Sequence, residues 1–273
     1  MEPKFVGAVE IIVNIGDSFD YDALYREKEK VIGLTKQNTA LHRRATRFLS
    51  AAGSLINDTY RLAMDATDTE KVVRYARRLT NREISKKPDC VSRESERFIS
   101  AVTPEGLLWF EDTVFSQCER VFAVDDEYGA VSRIFMATVR AAALDAGVDI
   151  TSCCCPFSPA DKVEHIIIPE LRLGFITSNR RHKPETKPFR TVHAARFTDS
   201  VSLKVHRERV LFNKKAVGEL LGEAVSAMKD AKSIHDKLEK CYIPNVDFRI
   251  IDEKTEQLIR RISKNNIGFS PLP

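Results

Sequence analysis

No stretch of the 273-residue sequence approaches the roughly 20 consecutive apolar residues that a bilayer-spanning helix requires. The opening MEPKFVGAVE also lacks the basic-then-apolar layout of a secretory signal. A cytosolic (cytoplasmic) protein with no membrane partner is therefore expected. Cysteine is scarce: Cys90, Cys118, Cys153, Cys154, Cys155 and Cys241 are too few and too irregularly spaced for a disulfide scaffold, and reduced thiols are expected. Neither charge sign dominates, since 43 Lys and Arg against 39 Asp and Glu leave a formal +4, short of a dedicated nucleic-acid binder. There is no nucleophile elbow and no H-E-x-x-H. What is present is 43% hydrophobic residues, enough for a real core.

Apolar residues recur at helical spacing from Asp22 to Leu62, through Leu24, Val31, Leu34, Leu41, Ala45, Phe48, Ala52 and Leu55, which predicts one long amphipathic helix. The β-branched run Val9–Ile15 before it reads as a strand, and Gly16 to Ser18 as a turn. In the middle, Arg120–Val124 is a short apolar run. An acidic loop follows from Asp125 to Gly129, then a helical stretch with Ile134, Phe135, Val139, Ala142 and Ala143. Val148–Cys154, Val163–Ile168 and Leu173–Thr177 are short enough to be buried strands, so the order strand, helix, strand, strand predicts a parallel α/β sheet. Ser158 and Pro159 suggest a one-turn helix start. A second long stripe runs from Leu203 to Leu238, broken at Ile243–Pro244–Asn245 before a last helix through Leu258, Ile259 and Ile262.

The two helical regions align. Asp20, Leu24, Glu29, Lys30 and Val31 fall on Asp199, Leu203, Glu208, Arg209 and Val210 at an offset of 179, and further along Ile56 and Asp58 fall on Ile234 and Asp236. Beyond a short gap, Glu70, Lys71, Arg77, Arg78 and Leu79 fall on Glu253, Lys254, Arg260, Arg261 and Ile262. About a hundred α/β residues precede the second helical unit and only 19 the first, so roughly eighty residues of a first core are missing by comparison. The chain divides on this reading into 1–92, 93–198 and 199–273.

Several segments carry a resemblance: Gly7–Gly16 (GAVEIIVNIG), Ser100–Gly106 (SAVTPEG), Cys155–Pro159 (CPFSP), Ile166–Leu171 (IIIPEL), Thr177–Asn179 with His182, and Tyr242–Phe248 (YIPNVDF). With these, the chain resembles, from about Pro3 to Ser263, a family of bacterial proteins built from two P-loop NTPase-like halves, generally labelled ATPases. The resemblance implies a P-loop NTPase-like parallel core with long appended helical hairpins, a cofactor pair of ATP and Mg2+, and a Walker A loop, G-x-x-x-x-G-K-[ST], in each half. On that resemblance the sequence is expected to begin after the first of these phosphate loops. The second falls on Asp126–Ile134 (DEYGAVSRI), where Gly129 survives but Asp126 and Val131 replace the two glycines, Ser132 the lysine and Arg133 the Ser/Thr.

Each replacement has a physical consequence. A β-branched Val forbids backbone angles the glycine permits, so a nest of N–H groups around phosphate is not expected. The lost lysine and hydroxyl would have neutralised phosphate charge and held magnesium, and charge-assisted bonds of that kind contribute roughly 1.5–3 kcal/mol each. Asp125, Asp126 and Glu127 add repulsion. The expectation is a degenerate nucleotide site, with Gly129, Ser132 and Arg133 a vestigial phosphate loop, ATP and Mg2+ unbound and no independent hydrolysis. A rival expectation is a non-catalytic partner-binding module that docks through its hairpins on a second copy or on an intact paralogue. A third is an ATPase site shared with another chain, with Arg133 or the Arg180 loop acting in trans.

Other candidates weigh less. The basic loop Arg180, Arg181, His182, Lys183, Lys187 and Arg190 is a candidate anion site against a solvated-loop alternative, and Arg74 to Lys87 forms a second basic region of the same kind. Glu170 is the one candidate metal or water ligand behind an apolar run. Cys153 and Cys155, which share a strand face, lack two further ligands at zinc-like spacing, with His165 and His182 as loose candidates, so no metal site is assigned. His235 and Asp236 on the last hairpin diverge by about 100° and do not form a catalytic pair.

Overall fold

The computed structural model describes residues 10–87 and 90–264. These group into two compact units: the described parts of Met1–Ala40 with Ala231–Pro273, and Leu41–Asp230. The elements in chain order are α1 (Tyr21–Arg26), α2 (Lys28–Asp65), α3 (Thr69–Glu83), β1 (Glu94–Arg97), β2 (Ser100–Thr103), β3 (Gly106–Trp109), α4 (Asp112–Phe115), β4 (Arg120–Asp125), α5 (Ala130–Asp145), β5 (Ile150–Cys154), β6 (Val163–Ile168), β7 (Leu173–Ser178), β8 (Arg190–His193), α6 (Ser200–Lys204), α7 (Arg207–Tyr242) and α8 (Phe248–Lys264). No helix among the described residues is long and apolar enough to cross a membrane.

The larger unit is a mixed α/β layer structure. Its six-stranded sheet has the order β1-β5-β6-β7-β4-β8. β1 and β5 are parallel, as are β7, β4 and β8. β6 is antiparallel to both its neighbours, which corrects the all-parallel expectation. Chain length explains it: only residues 155–162 join β5 to β6 and residues 169–172 join β6 to β7. A parallel crossover needs a dozen or more residues. The apolar runs split by period 2. Phe122, Val124, Ile166, Ile168 and Phe175 face α5 and α3, where Val131, Phe135, Val139, Val72, Ala76 and Leu79 close the main core. Val121, Ala123, Ile167 and Ile176 form the other face, with Cys118, Cys153 and Val114. Beside the sheet lies the β2–β3 hairpin.

Other expectations need correcting. The strand predicted over Val9–Ile15 does not form at residues 11–15, where Ile12, Val13 and Ile15 are exposed, and Val9 lies outside the described residues. The Ser158 segment is a hydrogen-bonded turn in which Asp161 N–H donates to the Ser158 carbonyl. The first long helix breaks at Glu27, and α2 buries residues only from Ala45 onward. In the larger unit α2 and α7 run antiparallel. Arg209 Nε donates to Asp58 at 2.9 Å, Asn213 reaches Thr59 at 3.2 Å, and Arg44 meets Glu223 at 3.2 Å. Gly53 lets a loop approach α2, since a Cβ there would lie 2.6 Å from the Phe157 carbonyl oxygen.

The offset of 179 holds in the backbone. Asp20 N–H donates to Asn245 O at 2.9 Å and Asp247 N–H to Ser18 O at 2.8 Å. Their counterparts, Asp199 N–H to Ala66 O and Asp68 N–H to Phe197 O, are both 2.8 Å. The isolated bridges Phe19↔Val246 and Thr67↔Thr198 obey the same offset. Because Asp68 corresponds to Asp247, no gap separates the two copies, and the gapped alignment of Glu70–Leu79 is corrected.

Candidate functional site

β4 delivers the chain to the carboxyl edge of the parallel strands, where the acidic loop turns into α5. Gly129, at φ 83°, takes the left-handed step that admits this turn. Asp126 is 2% exposed. One of its carboxylate oxygens accepts the N–H groups of Tyr128 at 3.1 Å and Gly129 at 3.0 Å, and the other that of Ser132 at 2.7 Å. The loop donors therefore converge on an anion, and that anion is the loop's own carboxylate. The Ser132 hydroxyl is buried beneath it and has no partner among the described residues.

A buried ion pair lies against the turn. Lys162 Nζ donates to Glu164 Oε1 at 2.8 Å, and a Cβ at Gly129 would stand 3.6 Å from the same Nζ. The residue just ahead of β6 thus brings an ammonium group to the loop. Burial pushes the Glu164 carboxyl up, but Lys162, His182 and His165 together outweigh it and hold the group well below the usual carboxylate range.

The remaining acids of the loop are engaged. Asp125 Oδ2 lies 3.0 Å from His193 Nδ1, its register partner at the end of β8. Glu127 pairs with Lys214 at 3.1 Å and Arg180 at 3.7 Å. Arg133 points elsewhere: it donates to Asn57 at 3.1 Å and stacks over Tyr60 at 4.0 Å. Of Gly129, Ser132 and Arg133, the first two come together at Asp126 and Arg133 does not.

The basic loop is split by burial. Arg180 reaches the acidic loop, Arg181 lies 5.9 Å from the Phe157 ring and Lys183 is exposed, but His182 is 1% exposed. It packs with His165 and Trp109 at ring separations of 5.4 and 5.9 Å, with no partner for its ring nitrogens among the described residues. Burial pushes His165 down to about 3 and His182 down to about 4, so both are neutral. His182 therefore leaves the anion-site candidates.

Beside the acidic loop, a cleft of about 860 Å3 opens over the ends of β4 and β8 and under α6 and the start of α7. Another depression, about 740 Å3, lies between α3 and α5, on the helix layer and away from the strand ends. Glu170 is held by Lys87 at 2.5 Å. A bulge between Cys153 and Cys154 breaks the strand alternation. Cys153 accordingly joins the apolar cluster while Cys155 lies against Glu164, and burial pushes both thiols up to about 12. Among the described residues, the one set of three metal-type side chains with ligand atoms within 4.8 Å is His235, Asp236 and Glu239, all exposed. Their reach overcomes the angular divergence of neighbouring positions, yet no buried group supports them.

Sequence reasoning missed the Asp126 capture, the buried Lys162–Glu164 pair and the Asp125–His193 pair. An Asp placed three residues ahead of a Gly is the signal that could have found the first, since Asp side chains bond N–H groups a few residues on. No family model, curated protein or solved structure matches the chain.

Proposed function

We propose that the chain is a non-hydrolysing protein of the P-loop NTPase type that acts by binding rather than by nucleotide turnover. The observation that carries this reading is the Asp126 carboxylate holding the Tyr128, Gly129 and Ser132 N–H groups. A nucleotide phosphate needs the same donors and would have to displace a covalently tethered anion. It would also approach Asp125 and Glu127 with Ser132 in place of the loop lysine. Arg133, held by Asn57 and Tyr60, is not set up as an arginine finger, so the shared-site alternative gains nothing here.

Isothermal titration with ATP and Mg2+ tests the reading. The native chain should give no binding heat, and the variant Asp126→Gly/Val131→Gly/Ser132→Lys should regain binding. Micromolar affinity in the native chain would overturn it. Asp126→Ala, which strands three donors, should lower unfolding free energy by roughly 2–4 kcal/mol without conferring affinity, because the lysine is still missing.

A further inference from the structure

The cleft beside the loop has a chemistry of its own, independent of whether the loop takes nucleotide. On its floor His193 is held through Nδ1 by Asp125, and its other ring nitrogen has no partner among the described residues. Leu203 and Leu211 form the apolar wall, and Leu211 is 53% exposed. Lys204 and Arg207 flank that wall at the junction of α6 and α7. Neither forms an ion pair among the described residues, whereas Lys214 across the cleft is matched by Glu127 at 3.1 Å.

We propose that this cleft binds a small amphipathic organic anion, with its charged head on Lys204 and Arg207 and its apolar body on Leu203 and Leu211. Size agrees: about 860 Å3 lies within the roughly 300–1,000 Å3 of small-molecule sites, and the open edge of parallel strands is where α/β sheets receive ligands. Charge narrows the class. Two unmatched cations suit a single carboxylate or sulfonate. Asp125, Asp126 and Glu127 on the opposite side repel a polyphosphate.

Fluorescence titration with 8-anilinonaphthalene-1-sulfonate is the test, with far-UV circular dichroism to confirm that each variant is folded. The native chain should bind the dye at micromolar concentration, and Lys204→Glu/Arg207→Glu should weaken it at least tenfold. Lys215→Glu, the same reversal outside the cleft, should leave affinity unchanged. Octanoate should displace the dye and octanol should not, which separates recognition of the anion from simple greasiness. Leu211→Asp, exposed and therefore tolerated by the fold, should also weaken binding. Full-affinity dye binding by the double variant, or equal displacement by octanol, would overturn the proposal.

Discussion

α3 and α8 are the same piece of structure in two settings. Each opens on an Asp cap after a short turn, Asp68 and Asp247, whose backbone N–H groups make equivalent bonds to Phe197 and Ser18. In α3, Val72, Ala76, Leu79 and Thr80 are at most 4% exposed, because α5 and the sheet lie over them. At the equivalent α8 positions, Ile251 and Leu258 are half-buried, Thr255 is exposed and Ile259 is 58% exposed. Among the described residues, caps, turns and helix lengths recur without the layer that covers α3. Local chemistry thus specifies the corner, while burial depends on what the rest of the chain supplies.

The sharpest way to break this comparison is to put a charge at one equivalent position in each helix. Ala76→Asp buries an unpaired carboxylate against α5 and should cost roughly 3 kcal/mol or more in chemical denaturation. Thr255→Asp should stay within about 0.5 kcal/mol, as exposed substitutions do. Similar losses for the two would mean that the α8 face is covered after all.

Acidification separates the units next. His165 and His182 ionise in the fold only near about 3 and about 4, against about 6.5 in an unfolded chain. Between those limits the unfolded state binds more protons, so stability falls as pH drops through 6.5 toward 4. Glu164, held low by Lys162, acts in the same direction: its contribution is present above the unfolded carboxylate value and disappears on further acidification. All three groups belong to the larger unit. Hydrogen exchange at pH 7 and pH 5, corrected for the intrinsic rate, should show protection falling in β6 and β7 and little changed in α8. His165→Leu should flatten the pH dependence. Equal loss in both regions would place the sensitivity elsewhere.

The contrast also explains what could be read in advance. β4, β6 and β7 were legible because both their faces are buried, which makes continuous apolar runs such as Val121 to Val124. β1 (ESER) and β8 (RTVH) were not legible, because edge strands with mostly exposed residues have no apolar signature. The repeat was visible in its caps, but chance likeness along polar helix faces introduced a false gap. At the candidate site, Gly129 stood out because its conformation is written in its identity. The inward turns of Asp126 and His182 did not, since tertiary surroundings and not neighbouring residues decide where an Asp or His among charges will point.

The smallest expected effect bears on the corners themselves. Asp68 accepts the Lys71 N–H at 2.9 Å and Asp247 the Arg249 N–H at 3.0 Å, so Ala at either position strands a helix N-terminal donor. The consequences should differ because α3 is part of the main core and α8 is not. Asp68→Ala should lower global stability by about 1 kcal/mol and shift the denaturation midpoint. Asp247→Ala should leave that midpoint in place and instead speed exchange in the first turn of α8, as a helix end frays when its neighbours do not hold it. Were Asp247→Ala to move the midpoint as far as Asp68→Ala, α8 would have to unfold together with the α/β layer, and the two corners would be equivalent in energy as well as in shape.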